Sequence, residues 1–237
     1  MQVNETDSAG TGTPPPVERL EKVTAETAAE IVAEAELSED AAALLGPEPE
    51  APAAYLARLM AADHPVDAIR FLAHALPKRE GAWWAAQCVR CLPLGDETAL
   101  PRRTVRAAEA WVVDPSETAR YAACELAEAL GFDHPASWAA MAVFWAGDSL
   151  APPDMPAVKP SAHLSCRAVF AAAVLAAAQK GPAEMIPAHH LAMLGQGIDI
   201  ANGGTGRPPD GKGGPEGDGP GLDDTRAPAG GGTRIHG

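Results

Sequence analysis

Aromatic residues are scarce in this chain: phenylalanine, tryptophan and tyrosine make up 5% of it, although 46% is hydrophobic. Alanine fills the gap. Alanine has the highest helix propensity and adds little buried area, so this composition implies an all-α fold with closely spaced helices. No stretch alternates with the period of a strand. Basic side chains are also few, 18 against 32 acidic ones, for a net charge of −14. No basic stripe exists to displace counterions from a phosphate backbone, which argues against nucleic acid as a partner. Long apolar runs are missing too. The longest, "AVFAAAVLAAA" at 168–178, is far shorter than the ~20 residues a spanning helix needs, so membrane insertion is not expected. The start, "MQVNETDSAG", lacks a basic n-region and an apolar run. The 4 cysteines are therefore read as reduced thiols of a cytoplasmic protein.

What is present is organised along the chain. Residues 1–16, ending in "GTGTPPP", read as disordered. Residues 17–51 form an acidic helical arm and linker. Thr27 and Glu30 are spaced as a capping box, Gly46 and Pro47 stop the helix, and "GPEPEAP" leads out of it. Residues 1–50 carry 12 acidic and 2 basic side chains, so most of the acidity belongs to this end. Residues 52–202 read as the helical core domain. Helices are expected near 53–62, 65–76, 80–92, 98–113, 115–130, 135–146, 161–180 and 184–194.

Three of these starts share Asp before Pro, at 63–65, 114–115 and 133–135; proline at N1 loses no hydrogen bond. Gly131, Gly147, Gly181 and Gly195 stand where C′ glycines belong. The similar starts suggest antiparallel hairpins, stacked in the manner of an α-solenoid. From Gly203 the Gly/Pro-rich tail, 203–237, is expected to be disordered.

Within the core domain, "YLARLMAADHPVDAIRFLAHALPKREGAWWAA" (55–86), "AWVVDPSETARYAACELAEA" (110–129) and "SWAAMAVFWAGDSLAPPDMPAVKPSAHLSCRAVFAAAVLAAA" (137–178) resemble a bacterial family of unknown function. The resemblance spans roughly 52–202. It implies no activity, cofactor or catalytic residue. It does imply a place beside type VI secretion accessory genes, which fits a cytoplasmic adaptor or chaperone-like role. At "AGDSLAPP" the chain departs from the family's Gly-rich "SGGSLAPP".

The segment "REGAWWAAQCVRCLP", 79–93, poses the sharpest chemical question. On a helix, Trp84, Cys88, Cys91 and Leu92 share one apolar stripe. Redox Cys-x-x-Cys pairs sit at a helix N-terminus, where the dipole favours a thiolate. This pair lies in the last turns, where the dipole opposes one. No second Cys-x-x-Cys completes a zinc site. His163 and Cys166, at i and i+3, are a weaker ligand pair, and of His189 and His190 at most one could join them. Ser149, Ser161 and Ser165 lack a nucleophile elbow, and no glycine-rich phosphate loop occurs within the fold. No cofactor, metal or catalytic residue is therefore expected.

The tryptophans carry the remaining signal, since all five lie between 83 and 145. Trp138, Met141, Ala142 and Trp145 form one helical stripe that reads as core. Trp83 turns about 100° from the Trp84 stripe, toward solvent, which would make it an interface anchor with Arg79 and Glu80 at its rim. The loop at 147–153, through Asp148, Ser149, Leu150 and Pro152, is a second expected contact, with stiffening prolines and free backbone groups. The function expected from these readings is a non-catalytic cytoplasmic adaptor that binds another protein. The alternative is a small metal- or thiol-dependent enzyme using Cys88, Cys91, His163 and Cys166.

Overall fold

The computed structural model describes residues 17–152 and 154–207; the expected disorder of 1–16 and of 208–237 lies outside them. The described residues form helices and no strands, in the order α1 (Ala28–Ala35), α2 (Glu39–Ala43), α3 (Pro52–Ala61), α4 (Pro65–Ala75), α5 (Lys78–Arg90), α6 (Leu100–Val113), α7 (Glu117–Leu130), α8 (Pro135–Phe144), α9 (Leu164–Gln179) and α10 (Ile186–Ala201). Short links make antiparallel neighbours of α6, α7 and α8. Helix α8 lies at the centre, packed against α5, α6, α7 and α9. Nine of its residues are buried, because alanine on nearly every side lets four neighbours approach closely. The stack also closes on itself. α9 returns to α4 and α5, and α10 packs on α4, α5 and α9, contacts an open solenoid would not make.

Two of the three Asp–Pro starts behave as the sequence suggests, with Pro65 and Pro135 at the first helical positions. At the third, Ser116 takes the cap: its Oγ accepts the Ala119 N–H at 3.2 Å, and α7 begins at Glu117. Helix α10 runs through Gly195 to Ala201, seven residues beyond the expected end, and the second of its two glycines, Gly197, serves packing. A Cβ on Gly197 would lie 2.5 Å from Cε2 of Trp84 and 2.8 Å from Cδ2 of Leu72. Gly197→Ala should therefore lower stability by about 1–3 kcal/mol through overpacking, despite alanine's better helix propensity. Urea unfolding checks this, and an unchanged midpoint would mean that the notch is not needed.

The acidic segment does not stand apart as an arm. Its single expected helix breaks at Glu36, whose φ of 49° is left-handed, and Ser38 restarts it as α2. The core holds this kink from outside. Arg70 donates to the Glu36 carbonyl at 2.9 Å, Arg167 pairs with its carboxylate at 2.5 Å, and Asp67 accepts both the N–H and the hydroxyl of Ser38. Tyr55, fully buried, donates its hydroxyl to the Ala41 carbonyl at 2.7 Å. Glu30 accepts the Thr27 N–H at 3.0 Å, as the capping-box spacing predicts.

Candidate functional site

Trp83 is not an exposed anchor. It is 5% exposed, because the chain leaving α10 turns back over it. Gly203 and Gly206 take the positive φ values this turn requires, 84° and 70°. The Asp199 carboxylate accepts the Gly206 N–H at 2.7 Å. The Trp83 indole then donates to the Thr205 carbonyl at 2.9 Å, and the Arg207 guanidinium lies 5.9 Å from its ring centroid. The helical geometry behind the expectation holds, since Trp83 does leave the Trp84 stripe; the error lay in treating 203–207 as structureless. Glu80 is also buried, at 6% exposure, and Arg79 is spent on the Val112 carbonyl at 2.7 Å. Truncation after Asn202 should cost about 1–2 kcal/mol relative to truncation after Arg207, by uncovering the ring and its N–H. Equal thermal midpoints for the two truncations would show that the strap contributes nothing.

The loop after α8 is more tied down than its prolines suggested. Leu150 donates to the Val158 carbonyl at 2.8 Å, and the Ser149 hydroxyl accepts the N–H groups of Ala151 and Val158, both at 3.1 Å. Tyr121 donates its hydroxyl to the Ala151 carbonyl. The backbone expected to be free for a partner is thus largely engaged. Asp148 and Pro152 remain exposed, while Ser149 and Leu150 are half-buried.

A row of part-exposed aromatic rings lies along α8 and the residues flanking it. Gly131 ends α7 with a φ of 82°. Ser137 donates its hydroxyl to the Gly131 carbonyl at 2.5 Å, and His134 caps α8 by accepting the Ala136 N–H at 3.1 Å. This tight turn leaves Phe132 outside, 45% exposed. Trp138 donates its indole N–H to the Phe132 carbonyl at 2.9 Å, fixing the ring beside it. The Phe132 and Trp138 centroids are 5.5 Å apart, and Trp145, one heptad on, lies 6.4 Å from Trp138 in a T-shaped pair. Both indoles are part-exposed, whereas Met141 and Ala142 of the same stripe are buried. Such a row of rigid, partly exposed rings is the usual make-up of a docking surface. The core reading of Trp138 and Trp145 holds in part, since both pack against the core while staying part-exposed; for Phe132 the one signal is an apolar residue immediately before a helix-starting Asp–His–Pro.

The thiols and histidines are placed differently. Cys88 is fully buried on α5, and that burial holds its pKa well above the ordinary thiol value. Burial also raises Cys166, and it raises Cys124 to about 11, so each of these sulfurs is a protonated thiol at neutral pH. Cys91 is half-buried, and the Gln196 amide donates to its sulfur at 3.4 Å. His163 pairs with Glu34 at 2.8 Å and stacks on His74 at 6.0 Å. His189 is bonded to the Ala177 carbonyl at 3.0 Å, and His190 is buried. Among the described residues no three His, Cys, Asp or Glu side chains come together to hold a metal ion. Nor is any helix long and apolar enough to cross a membrane.

Fold and surface together define a compact all-helical domain bearing an aromatic face. The chain belongs to a family of unknown function (DUF6931), which it matches over residues 55–201. No curated protein and no solved structure matches it. The matched span includes Phe132, Trp138, Trp145 and Trp84, and it leaves out the N-terminal segment and the strap over Trp83.

Proposed function

We propose that this protein is a non-catalytic adaptor of the bacterial cytoplasm that binds another protein through the face formed by Phe132, Trp138 and Trp145. The observation that carries this reading is the row itself: Trp138 on α8 in contact with both Phe132, before the helix, and Trp145, at its C-terminal cap, with part of these rings exposed in a chain with few aromatic residues. In so alanine-rich a domain, tryptophans that pack against the core yet keep part of their rings exposed leave apolar surface for a partner, and interface anchoring is a use that tryptophan serves well. Service to a secretion apparatus is supported by the resemblance of the phrases at 55–86, 110–129 and 137–178. The test is affinity capture with the full chain as bait. Trp138→Ala, folded by circular dichroism, and Phe132→Ala, at the exposed ring and with an unchanged thermal midpoint, should each lose a partner retained by wild type. Recovery of the same partner by both would place the binding surface elsewhere.

A further inference from the structure

The N-terminal acidic segment is held in the manner of a bound peptide. Side chains of the core reach its backbone along its length. Arg70 donates to the Glu36 carbonyl, Tyr55 to that of Ala41 and Arg58 to that of Leu44, all between 2.7 and 2.9 Å, while Asp67 accepts the Ser38 N–H at 2.9 Å. Contacts of this kind read the path of a chain more than its side chains, as peptide-binding grooves do. The charges match as well. His163 pairs with Glu34 at 2.8 Å and Arg167 with Glu36 at 2.5 Å. The carboxylate among these core groups, Asp67, has His64 3.9 Å away and is taken up by the Ser38 N–H and hydroxyl. The apolar hold is slight. From Ala28 to Leu45 the buried side chains are Ala28, Ile31, Ala35 and Ala41, and of these only Ile31 is larger than a methyl group. The fit is also incomplete. Among the described residues five buried side-chain atoms lack a hydrogen-bond partner, and three of them, Glu50 Oε2, Arg70 Nε and His74 Nε2, lie at this junction, where His74 stacks on His163. The receiving side chains, from Tyr55 to Arg167, all lie within the span matched by the family, and residues 28–45 lie outside it.

We infer that the face formed by α3, α4 and the start of α9 is a receptor groove for an acidic segment of a partner protein, and that residues 28–45 fill it in cis as a displaceable cover. The partner segment has the make-up of the cover: a short helix with small apolar side chains turned inward, two carboxylates two residues apart at its end, and a kinked backbone after them. Its carboxylates meet His163 and Arg167, and its backbone meets Arg70, Asp67, Tyr55 and Arg58. The cover is tied down on both sides, by the Lys22 N–H on the Ala201 carbonyl at 2.8 Å and by the start of α3 at Pro52, so it leaves as a loop. The tether gives it an effective concentration of about a millimolar, and the groove opens only to a segment that binds more tightly or is held nearby. The ion pairs of Glu34 and Glu36 are open to water and add little to the hold. The surface uses none of the α8 rings, and it stands whether or not they dock a partner.

The probe is a peptide of residues 26–46 of this chain, with a scrambled peptide of equal composition as control. Wild-type full-length protein is incubated with a large excess of each, and hydrogen exchange is followed by mass spectrometry. The matched peptide should speed exchange of the chain's own α1 about tenfold and leave α5 unchanged; the scrambled one should change neither. A second measurement uses the full chain carrying Ile31→Asp and Glu36→Lys, which loosen the cover and leave the groove intact. By fluorescence anisotropy the labelled peptide should bind this variant about tenfold more tightly than wild type. Adding Arg167→Glu should weaken that binding about fivefold. The same change at the exposed Arg103, on α6, should weaken it by less than about twofold, which separates the groove from bulk charge. Unchanged α1 exchange in wild type would show that the segment is a fixed part of the fold and would overturn the inference. So would equal binding of the scrambled peptide, or equal losses from Arg167→Glu and Arg103→Glu. If the loosened variant does not fold, the wild-type exchange decides alone.

Discussion

Replacing Trp84 with alanine should lower stability by about 3–5 kcal/mol, the range for deleting a fully buried aromatic side chain. The ring is 0% exposed, and it joins two parts of the chain that are far apart in sequence. It projects from α5 into the notch at Gly197 on α10, and its indole N–H donates to the Met193 carbonyl at 2.8 Å. Alanine would leave a cavity between α4, α5 and α10, the junction that closes the bundle. Urea unfolding followed by circular dichroism checks the loss. A change below about 1 kcal/mol would mean that α10 docks without the ring, since deletions at collapsible sites cost far less than those at rigid ones.

Arg120 gives the second large effect. It is 1% exposed, unusual for an arginine, and every part of its guanidinium is used. Nε and Nη2 form a two-pronged pair with Glu117 at 2.8 and 2.6 Å, and Nη1 donates to the Phe144 carbonyl at 2.7 Å. The group lies 4.5 Å from the Tyr121 ring centroid and 4.9 Å from that of Phe144. Gly147 makes the room: a Cβ there would lie 2.4 Å from the Arg120 Nε.

Arg120→Ala should cost about 2–4 kcal/mol through the cavity and the orphaned carbonyl. Glu117 is 63% exposed, so no buried charge is stranded and the loss stays below that of a fully buried pair. Arg120→Met, which refills the volume, should recover part of it. The hydrogen bonds from Arg120 hold the Glu117 carboxyl below its ordinary value of 4.5. A carboxyl with a depressed pKa in the folded state stabilises above its unfolded pKa and loses that contribution as pH falls through the folded one. The pair's contribution should thus persist at pH 6 and fade below about pH 4. Equal costs for alanine and methionine at both pH values would contradict this account.

How much of this was legible can be judged from particular residues. The stripe of Trp84 and Cys88 follows from helical period alone, and both are fully buried. The starts at Pro65 and Pro135 were legible because the proline ring fixes φ locally. Failures came where distant chain decides. Gly195 reads as a stop, yet α10 continues through it and sets Gly197 against Trp84, a ring more than a hundred residues earlier. Trp83 reads as exposed, and no local pattern shows that Asp199 will fold 203–207 over it. The kink at Glu36 is held by Arg70 and Arg167, neither of them near in sequence. The aromatic row was half legible. Period placed Trp138 and Trp145 on one face, but which face points outward depends on where α5, α6, α7 and α9 pack around α8.

The central claim is that the α8 face, and not the covered Trp83 surface, receives the partner. Site-specific photo-crosslinking in cells tests it most directly, with benzoylphenylalanine placed at position 132 in one variant and at position 83 in another. The account predicts a discrete protein adduct from position 132 and none from position 83, whose ring is covered by 203–207. An adduct from position 83 with none from position 132 would contradict it.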